Sequence, residues 1–364
     1  MIYLSNEDNA RILNIDNCVA ALSEAFEMLA AGRAVSRPRT DIWVPCDRPD
    51  GYYRWGSMEG AIAPLGLFVT RMKSDIMTWT AQGTDELHSV EPGTFSGFIM
   101  VFSTRNGAPL AIMNDGILHH LRVGAGAALG AKALARADAS VVGIIGSGEM
   151  ARVYLPGFCA VRDIKRAKVF SPNREHRESY AAEMARLLGI PVEPLDNAEQ
   201  VVRGSHIVAT CTDSNRPVIT DKSWIEPGMH LANNSSREWS WEIVQSCDRV
   251  VQIGTETLGS GGVKEESERR YGWPAWVIGS AEEVARMPKR GVSNMDFLKY
   301  PTLSEALLDP SKRRTAPEQV TFFHNLGLLG FQFAAIAGKA LQLATERGLG
   351  TPMSTAPFLQ NIRN

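Results

Sequence analysis

The run Gly146-Ser147-Gly148-Glu149-Met150-Ala151 has the form G-x-G-x-x-A. It follows Ser140-Val141-Val142-Gly143-Ile144-Ile145, an apolar run of the kind that makes a buried strand, and precedes a stretch with helical spacing. Gly146 permits a tight turn there, Gly148 lets the main chain approach a diphosphate on the helix N-terminus, and Ala151 lets helix and strand pack closely. The six residues are candidate contacts for a nicotinamide dinucleotide; the alternative is an ordinary strand-to-helix turn. An NAD site usually has an acid at the end of the next strand, to accept from the ribose 2′-hydroxyl. Val169-Phe170-Ser171-Pro172-Asn173-Arg174 has none. Ser171, Asn173 and Arg174 suit a 2′-phosphate instead, which favours NADP and leaves NAD open. Thr210 and Thr212, at the end of the apolar run Ser205–Cys211, complete the candidate cofactor set.

A βα rhythm must hold these residues: strand 140–145, helix to about Ala160, strand Ala167–Phe170, helix Glu175–Leu188 and strand Ser205–Cys211, a spacing that predicts a parallel sheet. Upstream, Ser5 with Asp8 is a capping signal, and Val19, Leu22, Phe26 and Leu29 keep helical spacing from Ile15 to Ala31, so the chain is expected to open with helices. Short β-like runs follow, Asp41–Pro45, Tyr52–Met58, Gly66–Met72, Gly97–Phe102 and Pro109–Met113, with turn residues Arg48-Pro49-Asp50-Gly51 and Arg105-Asn106-Gly107 between them. They predict an antiparallel meander. Ile117–Arg136 is a predicted helix rich in small residues. Leu326–Ala344 is apolar but interrupted by Gln332, Lys339 and Gln342, which fits a buried helix on the N-terminal part better than a membrane span. The predicted fold class is α/β: a Rossmann-type domain at residues 126–319, plus an α+β domain built from both chain ends, residues 1–125 with 320–364.

At 364 residues the chain exceeds what one core supports. A net charge of −2 shows no footprint for nucleic acid or an anionic membrane, so a small-molecule partner is expected. Five cysteines without a CxxC pair fit reduced thiols, and the first residues show no basic and apolar leader pattern, so a cytoplasmic location is expected. His119 and His120 point to different helix faces and no HExxH occurs, so no metal is expected.

Leu121-Arg122-Val123-Gly124-Ala125-Gly126-Ala127-Ala128, running on to Ala133-Leu134-Ala135-Arg136, resembles the LRTAA…ALAR helix of the ornithine cyclodeaminase/mu-crystallin family. The dinucleotide turn follows at that family's usual distance. Glu226-Pro227-Gly228-Met229-His230-Leu231 and Gly327 with Glu346-Arg347-Gly348-Leu349-Gly350 also match, so the similarity runs from about residue 37 to about residue 352. The resemblance implies a homodimer of two-domain subunits, dimerising through the Asp41–Met113 meander. It implies an NAD(P)-dependent oxidoreductase acting on the C=N or CH–NH carbon of a small carboxylate-bearing imine or amino acid. A cyclodeaminase-type ammonia lyase and a non-catalytic NADP-binding protein stay open.

By the same resemblance Arg122 is the substrate-carboxylate arginine, and its guanidinium fork suits that task. Arg39 lies near a second such arginine. Either Arg71 or Lys73 falls on the family's lysine, Arg71 being preferred by alternation with Val69. Lys73, Glu238 and a histidine are unranked candidates for the proton donor. The sequence departs from the family pattern at Val123 (threonine), at Gly56 (glutamate) and at Arg237, where the cyclodeaminases carry an acid; Glu238 is offset by one. Trp43, Trp55, Trp79, Trp239, Trp241, Trp273 and Trp276 are either core or a substrate wall, and Gly259-Ser260-Gly261-Gly262 before Lys264-Glu265-Glu266 is a connector or a lid.

Overall fold

The computed structural model describes residues 1–79, 85–214, 216–255, 269–270, 273–286, 296–360 and 362. The Gly259–Glu266 segment lies outside the described residues. The chain opens on a short strand, β1 (Ile2–Leu4), where helices alone were expected; three residues are too few for a period to reveal. Ser5 then caps α1 (Asn6–Ile12): its hydroxyl accepts from the Asp8 amide, and the Asp8 carboxylate accepts from the Ser5 amide. Helix α2 (Ile15–Ala30) buries Cys18, Leu22, Ala25 and Phe26 and ends before Gly32.

The β-like runs form β2 (Ala34–Ser36), β3 (Thr40–Pro45), β4 (Gly51–Ile62), β5 (Leu67–Trp79), β6 (Asp85–His88), β7 (Gly97–Ser103) and β8 (Pro109–Asn114). Strands β3-β4-β5-β7-β8 are neighbours in that order and antiparallel, with β4 and β5 longer than their sequence signals. Side chains alternate across this sheet, so Asp41, Trp43, Arg54, Gly56, Met58, Val69, Arg71, Lys73 and Asp75 share its buried face.

Helix α3 (Gly116–Leu134) leads into β9 (Val141–Ile145), α4 (Glu149–Val161), β10 (Arg166–Phe170), α5 (Arg174–Leu188), β11 (Val192–Pro194), α6 (Ala198–Val202), β12 (Ile207–Thr210) and β13 (His230–Asn233). The small residues of α3 are explained by α4: a side chain at Gly124 would reach within 2.5 Å of the Val153 carbonyl oxygen. After α7 (Trp241–Ser246) and β14 (Arg249–Gln252) come β15 (Arg269–Arg270), β16 (Trp273–Val277), α8 (Ala281–Arg286), α9 (Leu303–Leu308), β17 (Thr321–His324), α10 (Leu329–Arg347) and β18 (Thr351–Pro352). Among the described residues the second sheet runs β11-β10-β9-β12-β13-β17-β14, all parallel. Its order reverses between β9 and β12, the switch point at which Rossmann-type sheets open a crevice.

Three expected boundaries change. Helix α3 crosses residue 125/126 unbroken, because one face packs on α2 and another on α4. Strand β17 belongs to the parallel sheet although residues from 320 on were assigned to the other domain; all four of its residues are buried, so no alternation marked it as a strand. Strand β16, inside the stretch assigned to the Rossmann domain, lies parallel to β3 in the first sheet. Helix α10 packs on β4 and β5. Among the described residues no helix is long and apolar enough to cross a membrane. Trp43 and Trp239 are fully buried core residues.

Candidate active site

The dinucleotide turn sits at the C-terminal end of β9, on the switch-point crevice. Gly146 has φ of 109°, and a Cβ there would strike the Cys211 carbonyl at the end of β12, so the turn requires glycine. Gly148 is the N-cap of α4; no side chain caps the helix, and a Cβ built on Gly148 meets nothing within 4 Å. Uncapped amides facing open space fit a diphosphate group. Glu149, Met150 and Ala151 form the first turn of α4, Ala151 fully buried against the sheet.

The Ser147 hydroxyl donates to the Ser171 hydroxyl at 2.9 Å, joining the turn to the end of β10. Asn173 caps α5 through its side-chain oxygen, which accepts from the His176 amide. Arg174 is exposed and its Nε donates to Glu178, an i,i+4 surface pair worth little and easily exchanged.

Two residues of the candidate cofactor set are already engaged. Thr210 is fully buried, its hydroxyl donating to the Ala232 carbonyl and accepting from Trp239 Nε1. The Thr212 amide and hydroxyl both donate to Glu238 Oε1, at 2.6 and 2.8 Å. Glu238 itself is fully buried, and its other oxygen accepts from the Asn234 and Ser235 amides at 2.9 and 2.7 Å. Burial raises its pKa, and these four donors work against that rise. Glu238 thus staples the loops after β12 and β13, and with both carboxylate oxygens occupied as acceptors it has no proton aimed at a substrate.

The cationic candidates do come together. Arg71 and Lys73 are two residues apart on β5 and share the buried face, so alternation does not separate them. Arg71 Nε donates to Asp115 Oδ2 at 2.7 Å, and its guanidinium carbon stands 5.4 Å from the Phe333 ring centroid. Arg122, from α3, stands 5.0 Å from the same centroid. Arg122 Nη2 lies 3.3 Å from His119 Nδ1, its Nε has no hydrogen-bond partner, and no ion-pair partner is found for it among the described residues. Burial and the neighbouring Arg71 push the Arg122 pKa down to about 9, which leaves it charged at neutral pH. Arg39 is held in a fork by Asp41, at 2.7 and 3.1 Å, and Lys73 pairs with Asp75. Burial, then the cations Arg54 and Arg39, hold the Lys73 pKa well below the usual lysine range. His119 is pushed the same way by burial and by Arg122 and Arg71, so it is neutral.

This cluster abuts the cofactor crevice. The Val123 carbonyl, next to Arg122, accepts from Asn325 Nδ2, which also donates to Tyr154 Oη; Tyr154 in turn donates to the Asn233 carbonyl at the end of β13. Residues not singled out from sequence are Arg54, Asp75, Asp115 and Phe333. Alternation with Met58 and with Arg71 would have found Arg54 and Asp75; Phe333 carries no local signal.

Residues 3–330 match the model of the ornithine cyclodeaminase/mu-crystallin family. A Δ1-pyrroline-2-carboxylate reductase of Bacillus cereus is 25% identical over 355 residues, 96% of this chain and 98% of its own. The structure of Thermococcus litoralis Δ1-pyrroline-2-carboxylate reductase, in complex with NADH and L-proline, superposes with a TM-score of 0.76 at 24% identity, covering 97% of this chain and all of that one. An archaeal alanine dehydrogenase dimer with bound NAD gives a TM-score of 0.72 at 22% identity, covering 97% and 99%. With a G-x-G-x-x-A turn on a Rossmann switch point and an arginine-rich cluster beside it, this chain belongs to the ornithine cyclodeaminase/mu-crystallin family.

Proposed function

We propose that the protein is an NAD(P)-dependent oxidoreductase acting on the C=N or CH–NH carbon of a small carboxylate-bearing imine or amino acid. The observation that carries this is the pair of buried guanidinium groups, Arg71 and Arg122, against the Phe333 ring beside the cofactor crevice. They bind the carboxylate and fix the adjacent carbon, with the ring of Phe333 as an apolar floor. Arg122 carries the larger share, because Asp115 already engages Arg71. A bound nicotinamide supplies or accepts the hydride. Lys73 Nζ keeps the imine nitrogen protonated and takes the proton back in the oxidative direction; its lowered pKa makes it a readier donor than an exposed lysine. His119 holds the Arg122 fork in place from Nδ1.

The missing acid after β10 and the exchangeable Arg174–Glu178 pair support NADP over NAD. The outer face of the β3–β8 sheet, with Ile42 and Phe98 exposed, supports a homodimer, and a relative of the same fold is described as a dimer. A monomer by light scattering at micromolar concentration contradicts that part. The reaction is tested by following nicotinamide consumption with 2-oxo acids plus ammonia or methylamine, and with cyclic imines bearing a carboxylate. Net consumption is expected; ammonia release from an amino acid without it indicates a lyase instead.

A further inference from the structure

We infer that the substrate is a dicarboxylate, its distal carboxylate taken by Arg54; this rests on the carboxylate-imine reading above and narrows its substrate class. The charges set the argument. Arg54, Lys73, Arg71 and Arg122 are all buried on one side of the β3–β8 sheet, against two carboxylates, Asp75 and Asp115. Arg39 is left out of this comparison, since Asp41 already forks it. Among the described residues four cations face two acids, an excess of two positive charges, and buried charges without partners are costly. A single substrate carboxylate offsets one of them.

The excess lies in two places. One is Arg122, at the Phe333 end. The other is at Asp75, where Arg54 Nη2, at 2.8 Å, and Lys73 Nζ both turn to the same oxygen, Oδ2. Asp75 Oδ1 and Arg54 Nε are left buried without a hydrogen-bond partner. One acid oxygen shared by two cations is an incomplete arrangement, unlike the two-bond fork of Arg39 on Asp41. Arg54 therefore keeps donor capacity inside the site while only 4% of it is exposed. Burial and the surrounding cations also depress the Lys73 pKa, and a second anion beside it relieves that repulsion.

The spacing agrees. On the paired strands Met58 faces Arg71, Gly56 faces Lys73 and Arg54 faces Asp75. Arg54, facing Asp75, thus lies beyond Lys73 as counted from Arg71, and its Nη2 meets Lys73 Nζ at Asp75 Oδ2. The order Arg71 and Arg122, then Lys73, then Arg54 is the order of carboxylate, imine nitrogen and second carboxylate in a short diacid. At Gly56 a side chain would come within 2.7 Å of Asp41 Oδ1 and 3.1 Å of Arg39 Nη2, so glycine there leaves that ion pair its place beside Lys73.

Titration calorimetry on the protein saturated with oxidised cofactor tests this without turnover. The probes are 2-oxoglutarate and oxaloacetate, set against the monoacids of equal length, 2-oxopentanoate and 2-oxobutanoate. The diacids are expected to bind about ten-fold more tightly or better, as one extra charge-assisted pair provides. Arg54→Gln is expected to bring the ratio close to one. Monoacids binding as tightly as diacids in the unsubstituted protein overturns the inference while leaving the carboxylate reading in place, and that comparison stands even if the variant does not fold. An unchanged ratio in folded Arg54→Gln overturns it as well. Binding of neither class contradicts the carboxylate reading itself, and the inference with it.

Discussion

Arg71 and Arg122 come from different elements, β5 and α3, yet their guanidinium carbons stand 5.4 and 5.0 Å from one ring, that of Phe333. Two like charges meet there only because the fold forces them together, and Asp115 compensates Arg71 alone. Arg122→Ala should therefore lower kcat/KM by about ten- to a hundred-fold, the loss of a charge-assisted fork of roughly 1.5–3 kcal/mol. Cofactor affinity, measured by fluorescence titration, should stay nearly the same. Unchanged kinetics with every carboxylate substrate removes Arg122 from the site.

Glu238 should behave as a structural residue. In Glu238→Gln the amide nitrogen faces donors that the carboxylate now satisfies, so the free energy of unfolding in denaturant should fall by roughly 1–3 kcal/mol, with a lower midpoint. The pH profile of kcat should keep its shape. A lost ionisation in that profile would return Glu238 to the chemistry.

Arg174→Ala should narrow a preference for NADPH over NADH by about ten-fold or more, one charge-assisted bond to the 2′-phosphate being lost. Equal affinities for the two cofactors in the unsubstituted protein contradict this.

His324 is buried, stacked on Phe297 with centroids 3.7 Å apart, and burial holds its pKa down to about 3. In the unfolded chain it titrates near its ordinary value of 6.5. Above that value neither state is protonated; below it only the unfolded state takes the proton. Stability is then lost as pH falls from 6.5 toward about 3, at about 1.4 kcal/mol per pH unit for this one group. Urea unfolding at several pH values should show that slope, and His324→Asn should reduce it by about this amount. An identical slope in the variant contradicts the assignment.

The sequence made the parallel domain legible because its strands are apolar runs at regular spacing, closed by a glycine turn with a known task. It made Arg122 legible through a long matching helix. Strand β17 escaped because it is buried on both faces and four residues long. Glu238 looked like chemistry because an acid next to a family position carries no mark of burial; its four donors come from two separate loops. Alternation with Val69 is no ground for preferring Arg71 to Lys73, since period two puts both on one face and only the partners Asp115 and Asp75 tell them apart.

Ornithine supplied with NAD should give no proline and no ammonia. By the resemblance drawn from the sequence Arg237 falls where the cyclodeaminases carry an acid, and a guanidinium, protonated at any physiological pH, cannot take the proton of a side-chain ammonium as that acid would. Glu238 cannot take over, being held by the loops it staples. Ornithine-dependent proline above a control without protein contradicts this.

The most direct measurement is nicotinamide absorbance during incubation of the purified protein with NADPH, ammonia or methylamine, and a panel of 2-oxo acids, alongside cyclic imino acids. The account predicts net NADPH oxidation with at least one carboxylate-bearing partner, stoichiometric with the amine formed, and its near loss in Arg122→Ala. No oxidation with any member of the panel, while NADPH still binds, would mean a protein that holds the cofactor without turning it over and would contradict the account.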